Sequence, residues 1–277
     1  MKVIFINFNM EINKLYRGDC LEVMKQIPDW SIDAIITDPP YWTTDCKWDS
    51  VIPFEPMWEQ LRRIIKPNGA IVLFGSEPFS SALRMSNIKM YKYDWVWEKT
   101  RPSWFVHSKN KPMKSHETLS VFSHWTTIHK WQSKNRMEYY PQGLIYEPYN
   151  NIRKPEKRAS NVWFSLRKSH KEEFITEYKN YPRSVLKFPN NEVWLHNSQK
   201  PVALIEYLIK TYTNEWETVL DFTAWSFTTA VASDNTNRKW ICIEQDEWYC
   251  KIWAKRINEN RLKLWLDILD FTSILEK

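Results

Sequence analysis

Glycine is nearly missing from this chain: there are 4 in 277 residues, where an average sequence carries about 7%. Tight turns often need backbone at positive φ, which glycine adopts at no steric cost. The shortage therefore either removes such turns or places other residues in them. Long apolar runs are also lacking. None reaches the roughly 20 residues of a membrane-spanning helix, and the amino terminus has no signal-peptide pattern. The expectation is a cytoplasmic chain with no membrane contact. Cysteine is sparse: Cys20, Cys46, Cys242 and Cys250 are scattered, with no Cys-x-x-Cys pair. That argues against a disulfide frame or a zinc site and for a reducing compartment.

Tryptophan, by contrast, is abundant, at 17 residues. Charge is uneven. The net value is +6, but residues 99–190 hold 18 Lys and Arg against 7 Asp and Glu, and the remainder holds 21 against 26. A basic middle between slightly acidic ends is the footprint of a polyanion contact in one segment; a solvated basic face is the plainer alternative. The length suits one large α/β domain, with or without an insertion.

The most informative stretch is Asp38-Pro39-Pro40-Tyr41. It follows Ile32–Thr37, a short β-branched run that reads as a buried strand. Ligands bind beyond the carboxyl ends of strands in open α/β sheets. Asp38 precedes a proline and is pushed away from helix. Pro39 and Pro40 have no N–H, so their backbone can only accept. Two acceptors beside an aromatic face suit a planar ring bearing an exocyclic NH2. A strand-ending turn with an incidental tyrosine is the bland alternative.

Other segments read as alternating helices and strands. Asp19 caps a helix Leu21–Ile27. Phe54–Lys66 is helical, Ala70–Phe74 a strand, Glu77–Met85 a short helix, and Tyr93–Lys99 and Thr118–Phe122 are strands. Periodicity fades over 100–190, where Lys and Arg interleave with Tyr139, Tyr140, Tyr146, Tyr149 and Phe164. Order returns with helix Val202–Tyr212, N-capped by Ser198, then strand Thr218–Phe222, a small-residue loop, helix Ala230–Asn235, strand Lys239–Glu244 and helix Glu247–Leu262. A strand, loop, helix and second strand ending in an acid form a nucleoside-binding unit. The loop and helix amino terminus hold an anion, and Glu244 accepts from ribose hydroxyls.

Asp38-Pro39-Pro40-Tyr41, with His196-Asn197-Ser198-Gln199-Lys200-Pro201 and the Asp221–Thr229 loop far downstream, resembles the amino-group DNA methyltransferases. These modify adenine N6 or cytosine N4. The motif order is similar to their circularly permuted, β-type class. The resemblance implies an α/β Rossmann-like sheet with helices on both faces. It implies a catalytic half at 1–98, a mostly irregular target-recognition insertion at 99–190 and a cofactor-binding half at 191–277. It implies S-adenosylmethionine as cofactor, double-stranded DNA as substrate and a cognate restriction endonuclease as a partner. Asp38, Pro39, Pro40 and Tyr41 would be catalytic. Asp19, Lys200, Pro201, Asp221, Phe222, Ala224, Trp225, Ser226, Thr228 and Glu244 would line the cofactor site. Asp before Pro-Pro-Tyr favours adenine within the family.

Trp225, Phe227 and Trp42 stand where the family has glycine. Trp30 and Trp216 occupy turns that ordinarily want φ above zero, and Trp104, Trp125, Trp131, Trp253 and Trp265 are weaker suspects. Trp48, Trp58, Trp95, Trp97, Trp194, Trp240 and Trp248 fit apolar patterns. Three accounts suit these positions: a decayed enzyme whose cofactor loop is closed by Trp225 and Phe227, a rebuilt cofactor site, or glycine codons read as tryptophan.

Overall fold

The computed structural model describes residues 10–41, 50–128, 133–147, 152–153, 174–175, 177–190 and 199–271. In chain order the elements are β1 (Lys14–Arg17), α1 (Cys20–Met24), β2 (Ile32–Thr37), α2 (Phe54–Ile64), β3 (Ile65–Gly75), α3 (Phe79–Ser86), β4 (Tyr91–Ser103) and β5 (Lys114–Phe122). Four two-residue strands follow: β6 (Ile145–Tyr146), β7 (Ile152–Arg153), β8 (Phe174–Ile175) and β9 (Tyr178–Lys179). The chain then forms β10 (Val185–Phe188), α4 (Val202–Tyr212), β11 (Thr218–Asp221), α5 (Thr228–Asn235), β12 (Lys239–Glu244) and α6 (Glu247–Lys263).

Eight strands make one sheet in the order β1-β12-β11-β2-β3-β5-β4-β10. Neighbours run parallel, except that β5 is antiparallel to both β3 and β4. The near-continuous apolar runs of β2 and β12 are explained by burial on both faces. Ile35 joins Met57, Trp58 and Leu61 of α2 in one core cluster. Ala34 and Ile36 join Leu204, Leu208 and Tyr212 of α4 in another. Strand β12 divides likewise: Ile241 and Ile243 go to the first cluster, while Trp240 and Cys242 pack with Trp253 and Ile257 of α6.

Most expected elements form within a few residues of the expected bounds. The first helix is shorter than expected and ends at Met24. Segment 99–190 divides: β5 and β10 belong to the central sheet, and 141–183 forms a separate compact unit. Within that unit β6 pairs with β9, and Asn180 Nδ2 donates to the Gly143 carbonyl at 2.7 Å. Ser198, Trp42, Trp48, Trp131, Trp194, Tyr149 and Phe164 lie outside the described residues.

Trp30 and Trp216 adopt positive φ, 54° and 69°, as their turns require, and so do Trp104 at 71° and Trp265 at 58°. Trp125, Trp225 and Trp253 do not. In the loop that leads into α5 the left-handed residue is Phe227, at φ 52°. Trp248, expected on an apolar face, is exposed instead.

Candidate active site

Three carboxyl ends of parallel strands meet at the centre of the sheet. Strand β2 ends in Thr37-Asp38, β11 in Asp221, and β3 in Gly75-Ser76. Asp221 ties the first two together. Its Oδ1 accepts from Thr37 Oγ1 at 2.5 Å and from the Thr223 N–H at 3.2 Å; its Oδ2 accepts from Thr229 Oγ1 at 2.7 Å. Thr223 Oγ1 in turn donates to the Asp38 carbonyl at 3.1 Å. Burial pushes the Asp221 carboxyl up to about 6, although the Thr37 and Thr229 hydroxyls pull the other way. Asp221 thus anchors the loop that follows and fixes where Asp38 leaves its strand.

Asp38 sits among charges. Its Oδ1 accepts from the Tyr41 hydroxyl. Its Oδ2 accepts from Lys200 Nζ at 2.5 Å. Lys200 is 8% exposed and lies 5.2 Å from the centroid of the Phe74 ring. Its second anion is Glu117 of β5, with Oε2 at 3.2 Å from Nζ. Lys99 closes the row, 2.5 Å from Glu117 Oε1. Burial raises the Asp38 carboxyl, and Lys200 opposes it. For Glu117 burial also pushes upward, but Lys200 and Lys99 outweigh it and hold the carboxyl down to about 2. Lys200 is raised by its two anions against the effect of burial and stays charged. The Tyr41 ring stacks at a tilt on Phe79, centroids 5.2 Å apart.

One pocket extends from Asp38 and Lys200 past Asp221 to Trp225, Ser226 and Thr228. Beside Trp225, Glu244 closes β12. Glu244 Oε2 accepts from the Trp225 N–H at 3.0 Å and Oε1 from the Asp246 N–H at 2.8 Å. Burial pushes its carboxyl up to about 7 despite those donors. A buried carboxylate fits the ribose hydroxyls of S-adenosylmethionine, and the loop and helix start beside it fit that molecule's own carboxylate. Arg256 of α6 reinforces the loop, donating to the Ser226 carbonyl at 2.5 Å.

The remaining expected residues fall as follows. Asp19 caps α1, accepting from Leu21 N at 2.8 Å, and the adjacent Gly18 N–H donates to the Glu244 carbonyl at 2.9 Å. Pro201 is the residue before α4, and Ala224 lines the pocket. Phe222 is buried in the core cluster of α1 to α3, away from the pocket lining. Phe227 also turns inward, packing with Trp240 and Cys242. Phe227 therefore does not close the loop; Trp225 lines the pocket and packs edge-on against Tyr249. Sequence reasoning passed over Glu117, Lys99 and Thr37. A signal existed for Glu117, the one acid between residues 99 and 137.

A mostly parallel sheet with one reversed strand, and a pocket at the strand ends lined by the Asp38 that opens Asp-Pro-Pro-Tyr, are the features of a methyltransferase that uses S-adenosylmethionine. The family model for N6- and N4-specific DNA methylases matches residues 32–255, and the chain belongs to that family. Among curated relatives, the type II methyltransferase M.HinfI of Haemophilus influenzae is 26% identical over 91% of this chain and 70% of its own length. M2.LlaDCHI of Lactococcus lactis subsp. cremoris is 27% identical over 88% of this chain and 89% of its own. Among solved structures, the cytosine-N4-specific PvuII DNA methyltransferase superposes with a TM-score of 0.62 at 15% identity, over 98% of this chain and 94% of that one. The M1.HpyAVI complex with S-adenosylmethionine gives 0.54 at 23% identity, over 88% and 98%.

Proposed function

We propose that this DNA methyltransferase modifies adenine N6 at a specific site in double-stranded DNA, through a permuted, β-type arrangement. A target base inside a duplex is out of reach of a pocket at strand ends, so it is flipped out. Asp38 and the Pro39 carbonyl accept the two amino hydrogens, and Tyr41 stacks on the ring. This localises a lone pair otherwise delocalised into the ring. The loop Ala224–Thr229 and Glu244 would hold S-adenosylmethionine, which would supply an electrophilic methyl group and leave as the neutral thioether once its S–CH3 bond breaks. Asp38 orients the amino nitrogen toward that methyl group and would take the surplus amino proton and pass it to solvent. Asp221 and its threonines hold the geometry, Glu244 orients the ribose, and the charges around Lys200 are fixed before reaction. A restriction endonuclease of the same specificity is the expected partner.

The observation that carries this reading is the shared pocket: Asp38 and the loop Ala224–Thr229 line the same cavity. The test is Asp38→Ala. Turnover should fall at least about a thousandfold, comparable to removing a key electrostatic group, while S-adenosylmethionine still binds within about twofold by calorimetry. Unchanged turnover would remove Asp38 from the chemistry. A second reading, a DNA-binding relative without activity, draws on Trp225 in the pocket lining. It predicts DNA binding with no detectable cofactor binding.

A further inference from the structure

We infer that Glu117 is a positioning residue that takes Lys200 off Asp38 when the target amino group arrives. The inference rests on Asp38 being the amino-group acceptor. Before substrate enters, both Asp38 oxygens have donors: Tyr41 on Oδ1 and Lys200 on Oδ2 at 2.5 Å. An incoming NH2 must share one of those oxygens, and an ammonium seated there competes for the negative charge that the amino group needs. Simply expelling a buried ammonium would leave an unpaired charge, which is costly. Glu117 provides the alternative. Its Oε1 is held by Lys99 at 2.5 Å, while its buried Oε2 has no hydrogen-bond partner although Lys200 Nζ lies only 3.2 Å away. At 3.2 Å that ion pair is already at the outer limit of hydrogen-bond length, so a small reorientation of Nζ toward Oε2 would complete a charge-assisted hydrogen bond there. Lys200 then exchanges one carboxylate for another without leaving the pocket.

The charged and titratable groups facing this row are Asp38, Tyr41, Lys99, Lys114 and Asp221. Glu117 raises the Asp38 carboxyl electrostatically, so neutralising Glu117 should lower it. Glu117→Gln should therefore reduce kcat at least tenfold, leave the KM for S-adenosylmethionine and DNA affinity within twofold, and move the acid limb of the kcat–pH profile to lower pH. Loss of a merely structural residue would not shift that limb downward. A kcat within twofold of the parent, or a loss with an unmoved acid limb, overturns the inference. If Asp38→Ala is inactive while Glu117→Gln is fully active, the seat for Lys200 fails and the assignment of Asp38 stands. A structure of the complex with a flipped base gives a check that does not depend on the variant's folding. Lys200 Nζ should be hydrogen-bonded to Glu117 Oε2 and not to Asp38; Lys200 still on Asp38 Oδ2 contradicts it.

A separate observation concerns tryptophan. Trp265 follows α6 at φ 58° and is 96% exposed. Its N–H donates to the Leu262 carbonyl at 3.2 Å, and the Leu266 N–H donates to the Arg261 carbonyl at 2.9 Å. Those two bonds form a Schellman motif, whose left-handed position is usually glycine. Trp216 sits at φ 69° in the turn closed by Glu217 N–H to the Asn214 carbonyl at 3.4 Å, and is also exposed. Trp30 repeats the combination, at φ 54° and 62% exposed. Trp104 shares the backbone, though its ring carries the Lys111 ammonium at 4.1 Å. Buried Trp58, Trp95, Trp97 and Trp240 all avoid positive φ. The geometry points to glycine codons read as tryptophan at 30, 104, 216 and 265. The coding DNA tests this: UGA at these four and UGG at Trp58, Trp95, Trp97 and Trp240 is expected, and UGG at all eight overturns it.

Discussion

Glu244 shows how one buried side chain sets a pH dependence. Its carboxyl is pushed up to about 7 by burial, so near neutrality the free protein holds it partly protonated. With Glu244 taking the ribose hydroxyls as proposed, the ionised carboxylate accepts from them more strongly than the protonated acid, which spends one oxygen as a donor. Binding below pH 7 is then coupled to loss of a proton, and affinity for S-adenosylmethionine should tighten as pH rises from 6 to 7, by at most about tenfold per unit, then level off. Glu244→Gln should flatten that slope in a calorimetric titration; a slope unchanged in the variant would assign the titration to another group. Folding follows the opposite sense. A carboxyl raised above its unfolded value contributes stability at low pH that is lost as pH climbs through the folded value. The cofactor-free chain should then lose melting temperature between roughly pH 4 and 7 through Glu244 and Asp221. At this scale the sequence was informative where chemistry is carried by contiguous motifs, as in Asp38 to Tyr41. It was silent on Lys99 and marked Glu117 only as an isolated acid, because three strands must first bring Asp38, Glu117 and Lys99 to one end of the sheet.

The elements themselves were largely legible. Strand Ile32–Thr37, helix Val202–Tyr212 and strand Lys239–Glu244 form with the bounds their apolar patterns predict. The cofactor loop was less so, since the left-handed residue is Phe227, two places beyond the tryptophan that seemed hardest to fit. Strand β10 was missed because four residues in a basic, aromatic stretch carry no period. Helix α6 starts on Asp246, whose side chain accepts from Trp248 N at 2.8 Å and Tyr249 N at 3.2 Å. Removing that cap with Asp246→Ala should cost about 1 kcal/mol, read as a lower urea midpoint with an unchanged slope. A cost near zero would mean the cap is replaced by water. The same helix positions Arg256 under the cofactor loop, so fraying its first turn should also weaken S-adenosylmethionine binding slightly.

At the scale of the whole molecule, the chain places Asp38 and Glu244 far apart in sequence and at the carboxyl ends of parallel strands in one sheet. Strand order does this: β2 neighbours β11, which neighbours β12. The basic excess over 99–190 is shared between sheet strands and the separate unit 141–183, so composition alone did not resolve the architecture of that segment. The central claim is that this assembly methylates the amino group of adenine using Asp38. It is tested most directly by incubating the protein with duplex DNA and labelled S-adenosylmethionine, digesting the DNA to nucleosides and identifying the labelled one by mass spectrometry. The account predicts N6-methyldeoxyadenosine from the parent chain and none from Asp38→Ala. Label in N4-methyldeoxycytidine, or equal label from the variant, would contradict it.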